Sequence, residues 1–308
     1  MPLVSLDALV LCAGRGERLR PLTDVCPKPL LPLAGITLAD RALAACEALA
    51  PARRLANAHH LPEQILTWAE ARGLDHVQVE PVLLDTGGAL ARLVHDQELL
   101  SDHLLVHNGD LTHGIDLREA WRVHLAARAD ATLVVLDRPD VNPNVAVADG
   151  RFQGVFGHPR GPIASESLQA RTFSGIAFYR RAILGGDPHH PWSVKELWHD
   201  LLEAGKTVLA WQAPSGCRWD DLGKPAEFLR ALRQELSDRS MASWIDPTAE
   251  LGRDTVVGEA CAVEYGAQLG AGSRMESAIL FPGAILAPGE TLQGTLRNPG
   301  GDLIAWPA

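Results

Sequence analysis

A six-residue period near the C-terminus constrains the fold of this chain more than any other feature. Apolar residues recur at every sixth position from Ile245 to Met275, and after a one-residue phase slip the spacing resumes at Leu280 and ends at Leu292. Glycines and other small residues lie between them. Because a six-residue repeat places one apolar residue on each side of a triangular coil, this segment is predicted to form a β-solenoid of about three coils.

The first part of the chain has a different pattern. Up to about residue 235, short apolar runs alternate with amphipathic stretches, which is typical of a layered, Rossmann-like α/β fold with a mostly parallel central sheet. We therefore expect two domains, at residues 1–238 and 239–308. The predicted elements are strands at 8–11, 104–107, 131–136, 173–178 and 207–212, and helices at 37–48, 62–72, 116–127, 193–203 and 225–236.

Composition excludes several classes of partner. The 28 basic and 38 acidic residues give a net charge of −10, so neither nucleic acid nor an anionic membrane is an expected partner. No apolar run reaches the roughly 18 residues that span a bilayer, and the N-terminus lacks the basic region of a signal peptide. The five cysteines are scattered without a C-x-x-C pair, which argues against disulfides and a zinc site. These features predict a cytoplasmic protein.

The segment 11–32, directly after the first predicted strand, has the composition of a polyphosphate-binding loop. Gly14 and Gly16 allow the backbone to approach a polyanion closely. Prolines flank Lys28 and restrict its backbone, and a held lysine with the fork-shaped guanidinium of Arg18 suits a triphosphate. The third glycine of the dinucleotide fingerprint and the Gly-Lys-Ser/Thr of a P-loop are both absent. The loop therefore predicts a triphosphate site of another kind.

The string LCAGRGERLRPLTDVCPKPLLPLAG in this loop resembles the N-terminal signature of the sugar-1-phosphate nucleotidyltransferases. Members of that family join a nucleoside monophosphate to a sugar 1-phosphate and release pyrophosphate. The resemblance implies that Ala13, Gly14 and Gly16 bind the nucleotide. It also implies that Arg18 binds the leaving phosphates and that Lys28 neutralises charge at the reacting α-phosphate.

Two aspartates are candidate magnesium ligands. Asp110 follows an apolar strand through an Asn-Gly turn, which places it at the carboxyl edge of the predicted sheet, where ligands bind in open α/β folds. This string resembles the family's N-G-D metal motif. The string Trp-Asp-Asp-Leu-Gly resembles the family's W-x-D-x-G motif, which aligns Asp221 rather than Asp220 with the second ligand. Since Mg²⁺ prefers carboxylate oxygens together with phosphates and water, these residues suit a Mg²⁺ site.

The nucleobase is expected at a second glycine turn. Glu80, Thr86, Gly87 and Gly88 belong to the segment that lines the nucleobase in the family, and its Asp-Thr-Gly-Gly-Ala-Leu form favours UTP or GTP. The two glycines are expected to expose backbone N–H groups at a helix N-terminus. The Asn-Ala-His-His string at residues 57–60 is interpreted as a strand end whose polar side chains line the pocket, not as a metal cluster.

The sugar phosphate is expected at a third segment. The Thr-Phe-Ser-Gly-Ile string resembles the family's sugar-binding strand, so Ser174 and Gly175 are candidates, together with Asn108. A phenylalanine replaces the usual asparagine of that strand, and the Glu-Lys-Pro that often precedes it is missing. We favour Arg160 over His158 as the replacement for its lysine.

Two other functions stay open at this point. One is a cytidylyltransferase that acts on phosphocholine or a phosphonate, and the other is a catalytically silent subunit that senses nucleotide sugars. Retention of both aspartates, Lys28 and Arg18 favours an enzyme whose partners are a nucleoside triphosphate and a sugar 1-phosphate. The C-terminal segment resembles the hexapeptide left-handed β-helix at the C-terminus of several sugar nucleotidyltransferases and acyltransferases. It contains no histidine, so we interpret it as a cap or a means of forming a homo-oligomer.

Overall fold

Two units with separate cores make up the protein. The computed structural model describes residues 4–138, 140–141, 143–299 and, for the backbone alone, 303–304. The first unit comprises Met1–Gly14, Ala42–Gly109 and His113–Trp219, and the second comprises Arg15–Arg41, Asp110–Thr112 and Asp220–Ala308. The predicted domain boundary at residue 238 is a different division and stays a prediction. Within the described ranges, no helix has both the length and the apolar character needed to cross a membrane.

A nine-stranded sheet forms the centre of the first unit. Its strands lie in the order His76–Val79, Arg53–Ala58, Leu6–Leu11, His103–Asn108, Gln169–Arg180, Ala131–Leu136, Val208–Gln212, Arg151–Val155 and Val145–Ala148. The first four strands are parallel to one another. Gln169–Arg180 runs antiparallel to both of its neighbours in this order, and Arg151–Val155 does likewise. The expectation of a mostly parallel sheet is therefore corrected to a mixed sheet.

Helices cover this sheet where the amphipathic pattern predicted most of them. They are Pro62–Arg72, Asp85–His95, Leu117–Ala126 and Val194–Glu203. Two begin at side-chain caps, because Asp116 and Ser193 each accept the backbone N–H two residues further on. The core contains Leu9, Leu133 and Trp198, and burial of such side chains contributes about 2 kcal/mol each.

Ahead of its C-terminal strands, the second unit contains mostly short elements. They are the 3-10 turns Glu17–Leu19 and Lys28–Leu30, the short helix Leu22–Val25, the long helix Pro225–Asp238, and the paired strands Pro32–Leu33 and Ile36–Thr37. The helix Leu38–Glu47 and the paired strands Leu111–His113 and Trp219–Asp221 have residues in both units. The chain enters the first unit along Leu38–Glu47. Leu31 and Leu33 share a core with Phe228, Ile279 and Phe281, so the segment after Lys28 packs with both the long helix and the C-terminal strands.

The C-terminal strands stack in three parallel sheets, as in a β-helix. The strands are Ser243–Ile245, Cys261–Val263, Ile279–Leu280 and Leu296–Arg297 on one side, Glu250–Leu251, Gln268–Leu269 and Ile285–Leu286 on the second, and Val256–Val257, Arg274–Glu276 and Thr291–Gln293 on the third. Val263 is paired with Ile245 and with Leu280, so the first turn contains 18 residues and the second 17. The shorter second turn is the predicted phase slip. Leu303–Ile304 pairs antiparallel with the last strand.

Candidate active site

A lysine and two aspartates lie together in the second unit. Lys28 Nζ is 2.6 Å from Asp110 Oδ2 and 3.3 Å from Asp221 Oδ1. The Lys28 side chain is 6% exposed, whereas those of Asp110 and Asp221 are 31% and 43% exposed. The ammonium is therefore buried beside two carboxylates that still reach solvent.

Local structure explains how these three side chains meet. Lys28 begins a 3-10 turn that follows Pro27, and the next turn of chain is anchored by buried Leu31. Asp110 immediately precedes the strand Leu111–His113, and Asp221 is the last residue of its pairing partner. Because the two strands pair, two aspartates far apart in sequence converge on one ammonium.

The neighbouring aspartate points elsewhere. Asp220 is 5% exposed and its Oδ1 lies 2.8 Å from Arg230 Nη2. Successive side chains of an extended strand face opposite sides, so only Asp221 can reach Lys28. The structure thus places beside Lys28 the aspartate that the resemblance aligned with the metal motif.

Arg18 and Gly16 border this cluster. Arg18 Nη2 is 4.0 Å from Asp221 Oδ2, and its side chain is 61% exposed, which leaves the guanidinium open to a ligand. Gly16 has φ +62°, and a β-carbon there would lie 2.8 Å from the Thr23 methyl and 3.1 Å from Lys28 Cβ. Gly16 therefore serves the close packing of Lys28 as well as any approach of the backbone to phosphate.

The donor set suits a divalent cation completed by substrate. In the part of the chain that the structure describes, no group of three or more His, Cys, Asp or Glu side chains could hold a metal by itself. Two carboxylates, with phosphate oxygens and water supplying the other positions, are the ligands that Mg²⁺ takes in phosphoryl-transfer sites. Asp110 and Asp221 fit that requirement.

A cavity of about 230 Å³ lies in the first unit. Its polar lining consists of Asp85, Thr86, Asn108, Ser193 and Lys195. The apolar and glycine lining consists of Val106, Phe173, Gly175, Ala177, Tyr179, Val194 and Trp198. A cavity with one apolar wall and a few polar side chains suits a small polar ligand with an apolar face.

The predicted sugar-phosphate residues divide into two groups. Asn108 and Gly175 line the cavity. Ser174 is fully buried, and its carbonyl accepts the Trp219 indole N–H at 2.9 Å. Arg160 does not line the cavity, because it forms a network with three carboxylates on one helix. Its partners are Glu196 and Asp200 at 2.6 Å and Glu203 at 3.2 Å.

Lys195 is a cavity residue that the motifs did not identify. It lies in the first turn of the helix Val194–Glu203 and is exposed. Among the described residues its ammonium forms no ion pair, in contrast to Arg160. The available signal was a lysine at the start of a predicted helix, close to the N-terminal end where anions bind.

The glycine turn of the first unit is packed differently from the prediction. Gly87 N–H and Gly88 N–H both point to the Trp192 carbonyl, at 3.1 and 3.4 Å. A β-carbon at Gly87 would also collide with the Trp192 indole. The expectation that both N–H groups are free is therefore wrong, because the Trp192 carbonyl accepts hydrogen bonds from both. Thr86 lines the cavity beside them.

Glu80 is buried behind this turn. It is 2% exposed, and burial raises the pKa of its carboxyl while hydrogen bonds from Leu84 N–H and Asn57 lower it. Ala13 is 4% exposed and Gly14 is exposed, directly after the strand Leu6–Leu11. A nucleotide-binding role for these three residues stays a prediction.

The mixed α/β sheet and the lysine held against two aspartates are features expected of a phosphoryl-transfer enzyme. Residues 7–238 match the nucleotidyl transferase family, so the chain belongs to that family. The resemblance to sugar-1-phosphate nucleotidyltransferases and the expectation of a nucleotidyltransferase are confirmed.

Relatives of the chain are enzymes of this kind, and a solved structure shares its fold. It is 28% identical over 308 residues to mannose-1-phosphate guanylyltransferase of Mycobacterium tuberculosis, covering 92% of this chain and 82% of that protein. It is 33% identical over 190 residues to N-acetylmuramate alpha-1-phosphate uridylyltransferase of Neisseria meningitidis, covering 59% of this chain and 78% of that protein. HddC from Yersinia pseudotuberculosis, complexed with GMP-PN, shares the fold, with a TM-score of 0.59 at 18% identity over 74% of this chain and 99% of that chain.

Proposed function

We propose that this protein is a Mg²⁺-dependent nucleotidyltransferase that makes a nucleoside diphosphate sugar from UTP or GTP and a sugar 1-phosphate. The observation that carries the proposal is the contact of Lys28 with both Asp110 and Asp221. A protein that only binds nucleotide sugars needs a cation for the phosphates but has no need of two converging carboxylates. Two carboxylates beside a buried lysine suit a site where charge builds up during transfer.

The chemistry assigns a separate task to each charged group. An oxygen of the sugar 1-phosphate forms a bond to the α-phosphorus, the α–β bridging P–O bond breaks, and pyrophosphate leaves. Since the attacking phosphate is already an anion, no general base is required. Lys28 neutralises charge on the α-phosphate and Arg18 holds the leaving phosphates, so catalysis rests on positioning and electrostatics.

Asp110 and Asp221 would hold the Mg²⁺ ion. The ion supplies Lewis-acid neutralisation of the triphosphate oxygens. Lys28 Nζ lies 2.6 Å from Asp110 Oδ2, so the lysine holds this carboxylate in place. The two aspartates and the lysine therefore act as one preorganised electrostatic unit.

The cavity of the first unit supports a sugar phosphate as the acceptor. Lys195 provides a cation that has no ion-pair partner among the described residues, and Asn108 and Ser193 provide hydrogen-bonding groups. Phe173 and Trp198 provide an apolar wall of the kind on which a sugar ring packs. A phosphocholine headgroup is disfavoured, because Lys195 repels a quaternary ammonium.

The nucleobase is guanine or uracil. The relatives are a guanylyltransferase and a uridylyltransferase, and the HddC structure contains a guanine nucleotide. Our proposal therefore covers both UTP and GTP.

The test is a pyrophosphate-release assay of the purified chain. UTP, GTP, CTP, ATP and dTTP are each combined with phosphocholine and with mannose, glucose, N-acetylglucosamine and N-acetylmuramate 1-phosphates, with Mg²⁺ and with EDTA. We expect release with UTP or GTP and one of the sugars, and loss of release with EDTA. Nucleotide binding without release across the panel would support the silent sensor, and release with phosphocholine and CTP would support the cytidylyltransferase.

A further inference from the structure

A buried polar chain joins three strand ends in the first unit. Asn57, 4% exposed near the end of Arg53–Ala58, accepts Cys12 N–H through Oδ1 at 2.7 Å and donates through Nδ2 to Glu80 Oε1 at 2.7 Å. Glu80 Oε2 accepts Leu84 N–H at 2.9 Å. These four groups form one continuous line of hydrogen bonds.

Each end of this line lies next to a segment assigned to the substrates. Cys12 precedes Ala13 and Gly14 of the phosphate loop, and Leu84 precedes Asp85 and Thr86, which line the cavity. His59 adds a further tie, because its Nδ1 donates to the Glu80 carbonyl at 2.9 Å. The polar string at residues 57–60 is thus a connector of strand ends.

The two backbone N–H groups at the ends of this hydrogen-bonded line determine which side-chain atoms can lie between them. Cys12 N–H and Leu84 N–H can only donate, so residue 57 must present an oxygen to Cys12. That orientation turns the amide nitrogen of Asn57 toward residue 80, which must then accept at both of its ends. Of the side chains of this size, only a carboxylate at residue 80 accepts at both ends.

Burial of the Glu80 carboxylate has a desolvation cost, so stability alone does not account for this arrangement. Burying a carboxylate costs several kcal/mol unless hydrogen bonds replace its hydration, and an apolar pair of similar volume often stabilises a fold as well or better. Glu80 is satisfied by Asn57, by Leu84 N–H and by Gln78 Nε2 at 3.4 Å. Both carboxylate oxygens of Glu80 and the Asn57 amide are thus paired, and such paired buried groups rigidify the segments that they connect.

We propose that the Asn57–Glu80 pair is a positioning brace that sets the spacing between the Ala13–Gly14 loop and the Asp85–Thr86 turn for nucleotide binding. Asn57 and Glu80 then act through the backbone of these two segments and not by contact with substrate. This inference rests on the proposed function, since it assumes that both segments receive the nucleoside triphosphate.

A swap of the two side-chain types tests the brace. Asn57→Asp places two carboxylates 2.7 Å apart, and Glu80→Gln leaves an NH₂ group facing either Asn57 Nδ2 or Leu84 N–H. The double variant Asn57→Asp/Glu80→Gln restores donor–acceptor pairing along the whole line. It keeps the net charge and the number of heavy atoms, and it loses only the 3.4 Å contact of Gln78.

Two independent readouts are the Kd of UTP and GTP by calorimetry with Mg²⁺ and, where turnover occurs, the KM for each substrate. We expect each single variant to raise the nucleotide Kd about tenfold or more, with the KM for the sugar 1-phosphate within about twofold of wild type. The double variant should return to within about fivefold of wild type.

Asp7→Asn is the matched control. Asp7 is fully buried at the other end of the same Leu6–Leu11 strand and accepts from Leu100 N–H, Ser101 N–H and the Ser101 hydroxyl. This variant should lower the melting temperature without changing the nucleotide Kd. If a single variant does not fold, the nucleotide Kd of the double variant is compared with that of wild type instead.

Two results would overturn the brace. One is a wild-type nucleotide Kd in folded Glu80→Gln. The other is a double variant whose nucleotide Kd is no lower than that of the single variant with the higher Kd. The proposed function fails separately, when wild-type protein binds a nucleoside triphosphate but releases no pyrophosphate with any sugar. The Kd comparison still tests the brace in that case.

Discussion

Lys28 and Asp110 are 82 residues apart in sequence, yet Lys28 Nζ and Asp110 Oδ2 lie 2.6 Å apart. The same ammonium lies 3.3 Å from Asp221 Oδ1. One buried cation therefore faces two carboxylates. Removal of Lys28 would leave both carboxylates without their common cation, whereas removal of either aspartate would leave a single lysine–carboxylate pair.

Lys28→Met should lower turnover by about 10²-fold or more, because a preorganised cation at the reacting phosphate is lost. The variant also leaves two carboxylates without their common partner. Steady-state pyrophosphate release with saturating nucleotide and sugar 1-phosphate measures the loss. Lys206→Met, at an exposed lysine of the first unit, is the control and should retain wild-type turnover. Turnover near wild type in folded Lys28→Met would remove the lysine from the mechanism.

Adjacent aspartates give a sharper comparison. Asp221→Asn should lower turnover by about 10²-fold and raise the Mg²⁺ concentration needed for half-maximal rate, because one of two anionic ligands becomes neutral. Asp220→Asn should lower the melting temperature by breaking the buried contact with Arg230, but should leave the Mg²⁺ dependence unchanged. Equal Mg²⁺ dependence of the two variants would contradict the assignment of Asp221.

The sequence predicted the repeating parts of this fold well. Periodicity located the strand that begins at Leu6 and the C-terminal coils, and the one-residue slip after Met275 anticipated a turn of 17 instead of 18 residues. These features are local, since a buried side chain must recur at the period of its own element. The 12-residue antiparallel strand Gln169–Arg180 was predicted only in part, because strand direction depends on tertiary contacts.

The site was harder to predict because it depends on pairings between distant segments. The Lys28 cluster requires the pairing of Leu111–His113 with Trp219–Asp221, and strands of three residues carry no detectable period. The Trp192 carbonyl accepts the N–H groups of Gly87 and Gly88, a contact that no local pattern reveals. Arg160 matched the position of a missing lysine, and only the structure shows it paired to carboxylates on a helix.

Lys195 and Arg160 are two cationic side chains with different surroundings, because Lys195 lines the cavity and Arg160 is paired with carboxylates. Lys195→Ala should raise the KM for the sugar 1-phosphate about tenfold or more and leave the KM for the nucleotide within about twofold. The variant removes from the cavity a cation that forms no ion pair within the described part of the chain. Arg160→Ala should leave both KM values near wild type, since its guanidinium is paired with Glu196, Asp200 and Glu203. The reverse pattern would return the sugar-phosphate role to Arg160.

Glu264 makes the stability of the second unit dependent on pH. Its side chain is 1% exposed and its Oε2 accepts Gly35 N–H at 3.0 Å. Burial raises the pKa of this carboxyl from 4.5 to about 7, with the charge of Asp246 acting in the same direction and that of Arg41 against it. Between these two pKa values the folded protein keeps a proton that the unfolded chain has lost. Stability therefore falls as pH rises from about 4.5 to about 7 and is level above that.

Glu264→Gln mimics the protonated carboxyl at every pH and should remove this dependence. The free energy of unfolding of the variant relative to wild type should rise between pH 5 and pH 8, by on the order of 3 kcal/mol at most. Denaturant unfolding at both pH values, followed by tryptophan fluorescence, measures the change. Glu250→Gln, at an exposed glutamate of the same coils, should give a difference that is independent of pH. An equally flat difference for Glu264→Gln would show that the buried carboxyl titrates in the folded protein as it does in the unfolded chain.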